Sequence, residues 1–211
     1  MKQLVIYGAW YFGKVVREAA EAAGWDVLGF VDPDPPADVV TLSALPPAAA
    51  VFVAIGDNAV RASVSSRLLA KGRSLITVVH PTASVSPSAR LGAGSYVGEL
   101  VAVRTNVRLG EGVVLQAGAV VSHDCAVASH ASFGPNATAA SKVRIGARTM
   151  VGAGSVIAPG LAIGNDCTVA AGAAVFKDAV AQQSLVGNPA RAVARPEKTV
   201  IQSDWEANNV W

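Results

Sequence analysis

The chain has 211 residues, 52% apolar and only 15% charged, which excludes intrinsic disorder because disordered chains pair low hydrophobicity with high charge. A formal charge of +2, from 17 Lys+Arg against 15 Asp+Glu, supplies no dominant basic surface and argues against nucleic-acid binding. No apolar run approaches the roughly 18–20 residues of a membrane-spanning helix. Two cysteines are too few for a disulfide framework, and Met1-Lys2-Gln3 runs straight into a strand-like segment, so a soluble cytoplasmic protein without a signal peptide is expected.

In chain order, Leu4-Val5-Ile6-Tyr7 reads as a buried strand closed by Gly8. A helix is predicted from Phe12 to Ala23, with Val15, Val16, Ala19 and Ala20 on one face and Gly24 as its stop. A second strand runs from Asp26 to Phe30 and ends at Asp32-Pro33-Asp34, and a third covers Val51 to Gly56. A second helix follows from Asn58 to Lys71, and Leu75 to Val78 returns to strand. This alternation predicts a βαβ-type parallel sheet over residues 1–78. Gly8 and Gly13 bracket a strand-to-helix turn, and Asp32 follows Gly8 by 24 positions, which is half of a dinucleotide-binding fingerprint. The middle glycine is replaced by Trp10 or Tyr11, and one half cannot hold a whole dinucleotide, so a nucleotide-sugar fits the size better than NAD. The plain alternative is that the two glycines only make the turn and pack the helix.

From Val79 every sixth residue is apolar: Val79, Val85, Leu91 and so on to Val169 and Val175, without exception. Glycine often follows, as at Gly92, Gly98, Gly110, Gly134, Gly146, Gly152 and Gly164. The position four after the apolar residue is small or β-branched, from Ala83 to Ala173, with Leu161 the one bulky exception. A period of six fits neither helix nor simple alternation; it fits a parallel β-solenoid with three short faces, stacked about 4.8 Å per coil. The repeat occupies residues 79–178. Residues 179–211, with the Gly/Pro-rich stop Gly187-Asn188-Pro189, form a cap and tail.

Hexads such as Ile145-Gly146-Ala147-Arg148-Thr149-Met150 resemble those of the hexapeptide-repeat acyltransferases, whose solenoid is left-handed. With Gly8-Ala9, Gly13, Phe30-Val31-Asp32, Ala54-Ile55-Gly56-Asp57-Asn58, His80-Pro81-Thr82-Ala83, Ser122-His123-Asp124-Cys125, Gly152-Ala153-Gly154-Ser155-Val156 and Gly187-Asn188-Pro189-Ala190-Arg191, the chain resembles bacterial nucleotide-sugar acetyltransferases of the PglD/NeuD type. The resemblance implies an α/β Rossmann-like half domain, then a left-handed parallel β-helix. It also implies a homotrimer with active sites between adjacent solenoids, acetyl-CoA as donor and a UDP-, dTDP- or GDP-linked 4-amino-4,6-dideoxy sugar as acceptor.

Transfer from a thioester to an amine needs a base for the proton shed on attack, and imidazole titrates in the right range. Of His80, His123 and His130, the family's base falls on His123 and its orienting carboxylate on Asp124; adjacent strand residues diverge, so their pairing requires a bend. Family spacing puts a second, donor-contacting histidine at Ser132, whereas His130 lies two residues earlier. Both are therefore carried as acetyl-CoA contacts, with Ala153 and Ala171. The acceptor contacts implied are Gly8, Trp10, Tyr11, Phe12, Asp32, Pro33 and Gly56, with Gln116 in place of a family asparagine. Cys125 and Cys167 occupy inward positions and are expected to be reduced core thiols; no metal site is expected, and His80 is expected to be structural. Sugar O-acetylation of the sialic-acid type, a non-catalytic scaffold and an NAD-dependent enzyme stay open as alternatives.

Overall fold

The computed structural model describes residues 2–32 and 49–193. Its N-terminal unit is a three-stranded parallel sheet in which β1 (Gln3–Tyr7) lies between β2 (Asp26–Val31) and β3 (Ala50–Val53). Leu4, Val5 and Ile6 are all fully buried, which is why β1 is an unbroken apolar run: both of its faces are covered. Helix α1 (Tyr11–Ala22) buries Gly13, Val16, Ala19 and Ala20. Helix α2 (Asn58–Ala70) is capped by Asp57, whose Oδ1 accepts from the Ala59 and Val60 N–H groups. The strand expected at Leu75 to Val78 is not a fourth member of this sheet. Leu75 makes a single bridge to Val51, and Val78 already belongs to the solenoid.

The solenoid strands are two residues long and recur every six residues, from β4 (Val78–Val79) to β20 (Ala174–Val175). Each pairs in parallel with the strand eighteen residues away, as Val120 does with Thr138. Three sheets result. Face 1 carries β4, β7, β10, β13, β16 and β19; face 2 carries β5, β8, β11, β14, β17 and β20; face 3 carries β6, β9, β12, β15 and β18. The periodic apolar residues, among them Val97, Leu115, Phe133, Val151 and Ile157, form the buried axis. The glycine after them is needed for stacking, since a Cβ on Gly152 would sit 2.6 Å from the Val169 oxygen of the next coil. Cys125 and Cys167 are buried and unbridged, and their thiols donate to the Ala140 and Val180 carbonyls.

Parallel pairing continues beyond the end of the apolar period. Ala179 bridges to Ile163, β21 (Ser184–Val186) extends face 1, and β22 (Arg191–Val193) folds back antiparallel on it. The N-terminal unit sits on face 1. Tyr96 and Val114, outward residues of that face, join the cluster of Leu4, Phe12 and Phe52. Phe12 meets Tyr96 edge-to-face with ring centroids 5.5 Å apart.

Candidate active site

His123 and Asp124 occupy the corner between β11 on face 2 and β12 on face 3. Asp124 has φ 60°, and this left-handed turn lets two adjacent side chains converge instead of diverging. His123 Nδ1 lies 2.8 Å from Asp124 Oδ2. Asp124 Oδ1 accepts from Asn106 Nδ2 at 3.0 Å, one coil earlier in the same corner column. The hydrogen bond from His123, then that from Asn106, holds the Asp124 carboxyl below the usual carboxylate range, with Lys142 adding to the effect. An ionised carboxylate can only accept, so Nδ1 carries a proton, and in the neutral ring Nε2 is then the acceptor. His123 and Asp124 are both exposed. Asn106 was not among the expected residues; its place eighteen residues before Asp124 was the available signal.

On the N-terminal unit, Gly8, Trp10, Tyr11, Phe12, Asp32 and Gly56 line one cleft of about 390 Å³. Gly8 has φ 115°, and a Cβ there would stand 2.6 Å from the Ala54 oxygen. A Cβ on Gly13 would collide with the Gly8 carbonyl. Both glycines therefore have a full packing explanation, and Gly8 has a place at the cleft as well. Asp32 Oδ2 accepts from the Ala9 N–H at 2.8 Å, pinning the turn. Trp10 and Tyr11 are 46% and 72% exposed, open to a planar ligand. The Phe12 ring, by contrast, is committed to Tyr96 and Phe52 in the core. Pro33 lies outside the described residues.

The expected donor contacts do not come together in one chain. Ala153 and Ala171 are exposed and stack one coil apart on the corner between faces 1 and 2, where Gln116 also lies, away from the cleft. Ser132 is only 4% exposed and sits under α2. Its hydroxyl donates to Asn58 Oδ1 at 2.6 Å and accepts from Arg61 Nη2 at 2.9 Å. Within the single chain the Ser132 oxygen bridges the two units. Arg61 is the centre of that junction and is 1% exposed. Its Nε donates to Gly112 O, Nη1 to Ile55 O, and Nη2 also to Asn58 Oδ1 and His130 O, at 2.8–3.0 Å. Burial pushes its pKa down to about 10, against the pull of Asp57.

His130 lies on the corner between faces 3 and 1, at the far edge of face 3 from His123. Its ring covers Gly112 beside Ala62 and Ser65 of α2. Burial, then the Arg61 charge, holds its pKa below the ordinary 6.5, and its Nδ1 finds no partner among the described residues. Within the single chain its half-buried ring borders α2. His80, in the first coil, pairs with Thr82 Oγ1 at 2.8 Å. No group of three or more His, Cys, Asp or Glu suited to a metal occurs among the described residues, and no described helix is long and apolar enough to cross a membrane.

Residues 3–68 match the PglD N-terminal domain model and residues 142–177 the hexapeptide repeat of succinyl-transferase. A GDP-perosamine N-acetyltransferase from Caulobacter crescentus, solved with CoA and GDP-perosamine as a histidine-to-alanine mutant, is 35% identical, with a TM-score of 0.87 over 91% of this chain and 97% of that one. The acetyltransferase domain of PglB from Neisseria gonorrhoeae, solved with acetyl coenzyme A, is 31% identical, with a TM-score of 0.86 over 91% and 99%. A UDP-N-acetylbacillosamine N-acetyltransferase from Bacillus subtilis is 33% identical over 111 residues, 46% of this chain and 51% of that protein. The chain thus spans about half the length of that curated relative. The half-domain sheet, the left-handed parallel β-helix and these matches agree: the chain belongs to the PglD/NeuD-type family of hexapeptide-repeat sugar acetyltransferases.

Proposed function

We propose that the protein transfers the acetyl group of acetyl-CoA to the 4-amino group of a nucleotide-linked 4-amino-4,6-dideoxy sugar, with His123 as general base. The observation that carries this reading is the 2.8 Å pairing of His123 Nδ1 with an ionised Asp124, which leaves Nε2 as acceptor. The relatives bound to CoA and GDP-perosamine support the two substrates. The neutral amine attacks the thioester carbonyl carbon, forming the C–N bond. The proton shed by nitrogen passes to His123 Nε2, the C–S bond breaks, and the proton goes on to the departing CoA sulfur. Both cysteines lie in the core with their thiols bonded to backbone carbonyls, which favours direct attack over an acyl-cysteine intermediate.

The cleft and the base belong to different copies in this reading. The N-terminal unit covers face 1, while His123 stands on the corner between faces 2 and 3. Face 2 presents Ser84, Ala102, Val120, Thr138, Val156 and Ala174 outward, a small and mostly apolar strip suited to packing between solenoids. A homotrimer joined there lets the sugar from one protomer's cleft reach the His123 of its neighbour.

The test is mass spectrometry after incubation with acetyl-CoA and a panel of UDP-, dTDP- and GDP-linked 4-amino sugars. One acetyl group gained on one acceptor is expected, with the rate lowered about 10²–10⁴-fold in His123→Ala. No transfer to any amine, or an undiminished rate in the variant, overturns the reading.

A further inference from the structure

Face 3 carries, outward and in adjacent registers, Arg90, Arg108, Ala126 and Arg144. Strands of one sheet lie about 4.8 Å apart, and like charges directly opposite one another destabilise a sheet. Among the described residues nothing relieves this. Arg17, by contrast, pairs with Glu21, and the half-buried Arg148 with Asp166. Among the described residues the Arg90, Arg108 and Arg144 guanidinium groups have neither an ion pair nor a hydrogen bond. Arg104 and Lys142, exposed on the adjoining corner, add to the positive charge. Ala126 is the short rung between Arg108 and Arg144, and the three arginines, Asn106 and Asp124 line a hollow of about 650 Å³. The lone carboxylate in that lining, Asp124, is already committed to His123 and Asn106.

We propose that the arginines of face 3 form a cradle for the diphosphate of the nucleotide-sugar acceptor, beside the His123–Asp124 corner. Guanidinium forks match phosphate oxygens in pairs, and a dianionic diphosphate offsets the repulsion between rungs. Both substrates of the proposed reaction contain a diphosphate, and reach separates them. In a nucleotide sugar the diphosphate hangs on the ring that bears the amine. In acetyl-CoA the whole pantetheine arm stands between diphosphate and thioester. A hollow that opens at Asp124 suits the short-armed ligand. This inference deepens the proposed acetyl transfer and rests on it for the identity of the ligand.

The double variant Arg108→Ala/Arg144→Ala removes two exposed side chains, and its unfolding midpoint is checked first. Loss of charge-assisted hydrogen bonds predicts a KM for the acceptor raised about tenfold or more, with the KM for acetyl-CoA within about twofold of wild type. A rise in the acetyl-CoA KM instead assigns the hollow to the donor and overturns the acceptor assignment. No change in either KM overturns the cradle. Calorimetric titration of the full chain with inorganic pyrophosphate is independent of turnover. Binding by wild type that weakens about tenfold in the double variant supports the cradle even where no acceptor is acetylated, and absence of wild-type binding overturns it.

Discussion

Two polar clusters lie at opposite edges of face 3, each built around a histidine, and they have opposite characters. At one edge His123, Asp124 and Asn106 form a short chain of two hydrogen bonds on an exposed corner. At the other, Asn58 and Arg61 of α2 meet His130 and Ser132 of the solenoid, and the Arg61 guanidinium is shared among backbone and side-chain oxygens on both units. A corner with one uncommitted nitrogen can move a proton. A junction in which Arg61, Asn58 and Ser132 are bonded to one another holds structure instead, because an unmet buried polar group is costly. The difference lies in cover: no described element packs on the His123 corner, whereas α2 covers His130.

The largest effect separating the clusters is on stability. Arg61→Ala leaves several buried oxygens without a donor and is expected to cost about 3 kcal/mol or more in urea unfolding. Lys in its place does not restore the fork. His123→Ala, made at an exposed corner, is expected to stay within about 0.5 kcal/mol of wild type by the same assay. Equal costs at the two sites break the comparison.

A smaller effect comes from Asn106→Ala, which frees one Asp124 oxygen. A kcat lowered about three- to tenfold is expected, the scale of one positioning hydrogen bond to a charged group. The carboxyl titration of Asp124, followed by NMR, moves upward because a hydrogen bond that lowers its pKa is gone. An unmoved titration removes Asn106 from the site.

The smallest effect is the pH dependence at His130. Its folded pKa is held below the ordinary 6.5, so below that value the unfolded chain binds the proton more readily than the folded one. Stability is then fullest above about pH 6.5 and falls as pH drops toward about pH 5. His130→Gln is expected to flatten the difference in urea midpoint over that range. A variant with the wild-type slope shows that the ring titrates as it does in the unfolded chain.

Much of the fold was legible because a six-residue apolar period has one economical packing, and the inward thiols followed from the same count. The corner that joins His123 to Asp124 was foreseen as a requirement, and its geometry is the left-handed φ at Asp124. Residue spacing from His123 says which rung Ser132 and His130 occupy, not what lies on top of them, so their packing under α2 was not legible. The signal that a unit covers face 1 was present in Tyr96 and Val114, bulky apolar residues at outward positions of a solenoid strand. Arg61 had no comparable signal, since within α2 it is one arginine among ordinary helix residues.

The sequence by itself determined the period, the coil size, the inward and outward sides of every rung and the βαβ order of the first unit, because each follows from local spacing. Only the tertiary structure decided that the N-terminal unit sits on face 1 and that Arg61 binds it there. It also decided that Asp124 receives its second hydrogen bond from Asn106 and that three arginines share one unpaired face. The eighteen-residue coil says which residues stack, but which of them bond, and what packs on a face, depends on side chains and units meeting in space.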